Sequence, residues 1–132
     1  MYRTLRIIAI FLLAGFTIPT TYAQDKEFDQ IVKIIKSGNS KELVKMFTAS
    51  VELNIDGEEA SYSKSQAEAV LKDFFNSRPP NTFEVNHTGE SKGGLPYAIG
   101  EYVSGSSTFR VWIRLNDKSG KYLVSEMSFI QD

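Results

Sequence analysis

Residues 87 to 115 read HTGESKGGLPYAIGEYVSGSSTFRVWIRL. Their second half alternates, with Phe109, Val111, Ile113 and Leu115 interleaved with Arg110, Trp112 and Arg114. Successive strand side chains point to opposite faces. The pattern therefore predicts a strand with one hydrocarbon side against a core and one wetter side, two guanidiniums around an indole. Tyr97 to Val103 is a second run of strand formers, and the short Gly-containing link Ser104-Gly105-Ser106-Ser107 predicts a hairpin between the two. The facing of this run stays open: Tyr97, Ile99 and Val103 can meet the core, and so can Ala98, Gly100 and Tyr102. Gly100 inside a strand predicts a bulge or a close backbone approach. Gly93-Gly94 permits positive φ in a turn, and Pro96 limits where pairing begins.

The same alternation continues on both sides. Upstream, Phe83, Val85 and His87 alternate with Glu84, Asn86 and Thr88, a strand that turns His87 inward. Downstream, Asp117-Lys118-Ser119-Gly120 is a turn into a last strand, Lys121 to Ile130. Strict alternation puts Leu123, Met127 and Phe129 on one of its faces and Tyr122, Val124 and Glu126 on the other. Further back, Ser63 and Gln66 have capping-box spacing ahead of Ala67, Val70, Leu71 and Phe74, one face of a helix that Arg78-Pro79-Pro80 ends. Val51, Leu53 and Ile55 alternate up to an Asp56-Gly57 turn, after which residues 58 to 62 return. Asp25 to Ser37 carries Phe28, Ile31, Val32 and Ile35 at helical spacing, and Gly38 is a stop. Asn39 or Ser40 caps a short second helix carrying Leu43, Val44 and Phe47. The order is two helices, a strand pair, a helix and four strands, which makes an α+β domain with helices against one face of a sheet. Its expected core is Ile31, Ile35, Phe47, Val70, Phe74, Phe83, Ile99, Phe109, Val111, Ile113 and Met127.

The run from His87 to Gly100, followed by Phe109-Arg110-Val111-Trp112-Ile113, resembles a family of secreted bacterial proteins, domain of unknown function family 4783. The resemblance extends from about Asp25 to the C-terminus. It rests on His87, Gly89, Ser91, Gly93, Gly94, Tyr97, Ile99, Gly100, Phe109, Arg110 and Val111. It implies a fold similar to nuclear transport factor 2, a cystatin-like cone in which helices pack into the concave face of a curved antiparallel sheet. It implies no activity, because fold does not give function.

The N-terminus bears on the compartment. Arg3 and Arg6 precede an apolar run, Ile7 to Ile18, interrupted by Gly15 and Thr17, and Thr21-Tyr22-Ala23 supplies small residues for cleavage. This reads as a signal peptide over residues 1 to 23, followed by a single domain over 24 to 132. The run is shorter than the roughly 20 residues a membrane span needs, so no stable anchor is expected. The chain has no cysteine, which excludes disulfides and lipidation at position 24, a glutamine. The expected product is periplasmic or secreted. Removing Arg3 and Arg6 from a chain of 15 basic and 16 acidic residues leaves a net charge of −3. With no basic patch, nucleic acid and anionic membrane surfaces are not expected partners.

No catalytic constellation, metal-ligand spacing or cofactor motif stands out. His87 is the only histidine. Facing inward, it serves either as a ligand-pocket residue with Tyr97 and Ser91 or as a structural residue bonding the backbone of the 88 to 94 turn. Gly89 to Gly94 lacks the lysine-serine ending of a phosphate loop and reads as a tight turn. Arg110, Trp112 and Arg114, joined by Tyr122 and Glu126 on the next strand, are either a solvated sheet face or an interface. Trp, Tyr and Arg are the residue types enriched at binding hot spots. Two functions follow. One is a non-enzymatic binding or interaction domain of the cell envelope, whose partner is an envelope protein or a second copy in a homodimer. The other is a small-molecule pocket, enzymatic or not, in the mouth of the cone around His87.

Overall fold

The structure, a computed structural model, describes residues 21 to 132, with residues 21 to 25 described by backbone alone. Residues 1 to 20, nearly all of the expected leader, lie outside the described residues. The elements in chain order are α1 (Thr21–Ser37), α2 (Ser40–Val44), β1 (Phe47–Ile55), β2 (Glu58–Ser63), α3 (Lys64–Ser77), β3 (Thr82–Glu90), β4 (Pro96–Ser104), β5 (Ser107–Lys118) and β6 (Lys121–Gln131).

Local chemistry sets the helix limits. α1 begins four residues before Asp25 and runs through the expected cleavage point. It buries Phe28, Ile31 and Ile35 and ends where Gly38 takes φ +65°. The Asn39 side chain caps α2 by accepting the Glu42 N–H at 3.1 Å. Phe47, expected on this second helix, opens β1 instead. The Met46 carbonyl already accepts the Val124 N–H at 2.7 Å, so the chain has joined the sheet by that point. The Ser63–Gln66 capping box starts α3, which buries Ala67, Leu71, Phe74 and Phe75.

The six strands form one curved sheet in the order β2-β1-β6-β5-β4-β3. Every neighbouring pair is antiparallel except β1 and β6, which run parallel. The sheet is therefore mixed rather than wholly antiparallel. β1 and β6 are separated by β2, α3 and the β3–β5 meander, so no hairpin turn forces them to oppose.

Two bulges break the strict alternation. In β3, Val85 pairs with Gly100 and His87 with Ile99, leaving Asn86 as the extra residue. In β6, Val124 pairs with Leu115 and Glu126 with Arg114, leaving Ser125 as the extra residue. Each extra residue flips the remainder of its strand. Val124 consequently joins Met127 and Phe129 in the core, while Leu123 turns away. In β4 the open choice falls to Ala98, Gly100 and Tyr102, which are buried, so Ile99 lies on the opposite face and outside the core. Val70 is only half-buried at the core margin. The other residues of the expected core are buried.

Candidate functional site on the convex sheet face

The hollow of the cone is filled. Phe74 of α3 stands at its centre, with ring centroids 5.8 Å from Phe75, 5.5 Å from Tyr102, 5.4 Å from Phe109 and 4.7 Å from Phe129. The Arg78 guanidinium lies over the Phe74 and Phe109 rings, at 5.5 and 5.3 Å from their centroids. The buried Tyr102 hydroxyl donates to the Arg78 carbonyl. Burial pushes the Tyr102 phenol above its ordinary value, which keeps it a neutral donor. Interlocking aromatic edges leave this hollow hydrocarbon-packed.

His87 is not in that hollow. The Asn86 bulge turns it outward, where it is exposed and paired opposite Ile99. Its Nε2 lies 3.2 Å from the Tyr97 hydroxyl, and it makes no bond to the backbone of the 88 to 94 turn. Ser91 closes that turn: its N–H and its hydroxyl both reach the Leu95 carbonyl, at 2.9 and 3.2 Å. Gly93 and Gly94 supply the positive φ angles of +89° and +76°.

The convex face, away from the helices, gathers most of the remaining polar and aromatic candidates. The β4–β5 register sets Tyr97 opposite Arg114, Ile99 opposite Trp112 and Glu101 opposite Arg110. The Tyr97 and Trp112 rings stack diagonally, 4.7 Å apart and inclined by 21°. His87 continues the row, its ring 5.8 Å from Tyr97. Arg114 donates to Glu126 at 2.7 Å, a pair only about one-third exposed at most, with side-chain exposures of 35% and 26%. The Arg114 Nε is buried with no acceptor among the described residues. Arg110 is exposed and forms no ion pair among the described residues, and Ile130 beside it on β6 is exposed.

Tyr122 does not belong to this face. The Ser125 bulge rotates it to the helix side of the sheet with Val124, where it packs half-buried against the core. His87 and Tyr97, read from sequence as pocket residues, instead join Arg110, Trp112, Arg114 and Glu126 in one patch. Glu101 and Ile99 complete that patch. The sequence signal for His87 was Gly100, whose place in β4 is opposite the bulge. Among the described residues, no three His, Cys, Asp or Glu side chains gather as a metal site.

No curated protein matches the chain. Solved structures do. A family protein from Bacteroides fragilis YCH46 is 28% identical with a TM-score of 0.71, over 77% of this chain and 95% of that one. A second, from Bacteroides uniformis ATCC 8492, is 26% identical with a TM-score of 0.73, over 79% of this chain and 95% of that one. A nuclear transport factor 2-like protein of unknown function from Silicibacter pomeroyi DSS-3 shares the fold at 12% identity, with a TM-score of 0.61 over 83% of this chain and 93% of that one. The profile of the family described as domain of unknown function DUF4783 matches residues 28–129, and the two Bacteroides proteins carry that family's name. The chain belongs to the DUF4783 family, on a nuclear transport factor 2-like fold.

Proposed function

We propose that this domain is a non-enzymatic interaction module of the cell envelope that works through the convex face of its sheet, and that it pairs there with a second copy of itself. The observation that carries this reading is the Trp112–Tyr97 stack, bordered by an arginine without a partner carboxylate among the described residues. The packed centre of the hollow supports it from the other side, since a ligand deep in the cone would have to displace Phe74 and its neighbours. Export is supported by the basic start, apolar run and small-residue site of residues 1 to 23.

The β4–β5 register suits self-pairing. A two-fold axis parallel to the strands and midway between β4 and β5 exchanges the residues that already oppose each other. Glu101 of one copy then meets Arg110 of the other, Ile99 meets Trp112, and Tyr97 meets Arg114. Those are an ion pair, an apolar contact and a cation–π contact. Two-fold pairing is the commonest homo-oligomer symmetry and needs one self-complementary patch.

Sedimentation of residues 24 to 132 at micromolar concentration tests this, with Trp112→Glu run beside the wild type and circular dichroism confirming that both are folded. A wild-type dimer that the variant loses is the expected result. A wild-type monomer overturns self-pairing, and a dimer that survives the substitution moves it to another surface. Intact mass from the native host tests export, with a chain beginning at Gln24 expected.

A further inference from the structure

A cavity of about 300 Å³ opens on the helix side of the sheet, between α1, the end of α2 and the start of β6. That is the low end of the range for ligand sites. One stripe of α1 forms a wall: Lys26, Gln30 and Ile34, each four residues from the next and so stacked on a single helix face. The stripe grades from an exposed ammonium at the top to a half-buried hydrocarbon at the bottom. Met46, buried after α2, extends the apolar floor, and the Tyr122 ring completes it. The Ser125 bulge turns Tyr122 from the convex side toward the cavity, which its neighbour Leu123 also lines. Bulges commonly re-aim a side chain in this way.

Charge at the rim is unequal. Among the described residues, three lysines line the opening, Lys26, Lys45 and Lys121, against two carboxylates, Glu27 and Glu42. Lys45 is already bound to Glu42 at 2.7 Å. Among the described residues, Lys26 and Lys121 form no ion pair and the Tyr122 hydroxyl no hydrogen bond. A surplus of one positive charge suits a monoanion, and the apolar floor excludes a bare inorganic ion as the best fit.

We propose that this cavity binds a small organic monocarboxylate. The carboxylate sits at the rim beside Lys26 and Lys121, with the Tyr122 hydroxyl as a further donor, and the apolar body lies on Ile34 and Met46. Charge-assisted bonds to lysine supply the orientation and the buried hydrocarbon the remainder. This rests on reading the domain as a binding module, but on the side of the sheet opposite the self-pairing face.

Octanoate is the probe, titrated into isotope-labelled residues 24 to 132. The domain alone accounts for 95% of two crystallised relatives, so this unit folds by itself. Amide shifts should be confined to residues 26 to 34, 42 to 46 and 121 to 123, and should saturate with a dissociation constant of about 0.1–1 mM. Lys121→Glu, an exposed change at a hairpin tip, should weaken binding by about tenfold or more. Octanol and inorganic phosphate should not saturate these shifts. Absence of saturable shifts, shifts on the convex face, or an unchanged affinity in Lys121→Glu overturns the proposal. Equal binding of octanol overturns the carboxylate, and equal binding of phosphate overturns the apolar floor. Sedimentation of the same samples separates the two readings: a monomer that binds octanoate sinks self-pairing alone, and a dimer that does not bind sinks the cavity alone.

Discussion

The Tyr97 ring lies over Gly89: a Cβ at position 89 would come within 2.7 Å of the Tyr97 hydroxyl oxygen. The two residues face each other across β3 and β4, and Gly89 does not need positive φ, so the glycine is there for space alone. That space lets Tyr97 reach His87 with its hydroxyl while its ring stacks on Trp112.

Gly89→Ala should therefore push the Tyr97 ring aside without breaking the backbone. The ring end of a side chain can move, so the stability cost should be the value of an aromatic pair, about 0.5–1.5 kcal/mol. Trp112 is the only tryptophan, so its emission reports directly on the stack. A clear spectral change with a small loss in urea midpoint is expected. Unchanged emission would show that the ring does not depend on Gly89.

Gly100 is a harder case. A Cβ there would lie 2.5 Å from the Glu84 carbonyl oxygen and 3.0 Å from the buried Phe83 ring. Neither can move far, because one is β3 backbone paired in register with β4 and the other is core. Gly100→Ala should cost about 1–3 kcal/mol, the range for overpacking. Urea unfolding measures it, and a loss below about 0.5 kcal/mol would mean that the bulge relaxes freely.

Phe74 touches four other rings and an arginine, so removing it leaves a hole that no single neighbour fills. Phe74→Ala should cost about 3–5 kcal/mol. Against a total of about 5–15 kcal/mol for an ordinary domain, many molecules would be near unfolding. A melting temperature within a few degrees of wild type would contradict the packed cone.

The layout was legible where one physical signal decided it. The Ser63–Gln66 box, the Pro79-Pro80 stop and the Phe109–Leu115 alternation each say locally what the structure does. The wrong facings in β3 and β6 share one cause. Alternation with period two cannot register an extra residue, so the Asn86 bulge put His87 on the wrong face and the Ser125 bulge did the same to Tyr122 and Val124. Gly100 carried a hint of the first, and nothing in Lys121 to Ile130 carried a hint of the second. Facing in β4 stayed undecided because Tyr97 and Tyr102 are equally amphipathic. The distinction between them comes from tertiary context, Phe74 and the Arg78 carbonyl on one side and Gly89 and Trp112 on the other.

Tyr102 predicts an alkaline limit. Its phenol ionises near 10 in the unfolded chain and above that when buried. Below about pH 10 both states hold the proton, and the burial has no pH dependence. Above it the unfolded state sheds a proton that the native state keeps, so stability falls as pH rises toward the native value. Tyr102→Phe should lose about 0.5–1.5 kcal/mol at neutral pH through the bond to Arg78. The gap between variant and wild type should then close above about pH 10. Parallel stability curves in urea from pH 8 to 11 would show that Tyr102 does not titrate with unfolding.

His87 separates the sequence reading from the structure most sharply. As a core residue holding the 88 to 94 turn, its loss would leave backbone groups unsatisfied and cost about 1–3 kcal/mol. Exposed, and bonded only to a tyrosine hydroxyl that water also reaches, it should matter little. His87→Ala is expected to change stability by no more than about 0.5 kcal/mol. Ser91→Ala removes the hydroxyl that reaches the Leu95 carbonyl and should cost more than His87→Ala, about 0.5–1.5 kcal/mol. Urea unfolding of the two variants side by side ranks them. If His87→Ala is the more damaging, the histidine supports the turn after all, and the outward-facing row of His87, Tyr97 and Trp112 is wrong.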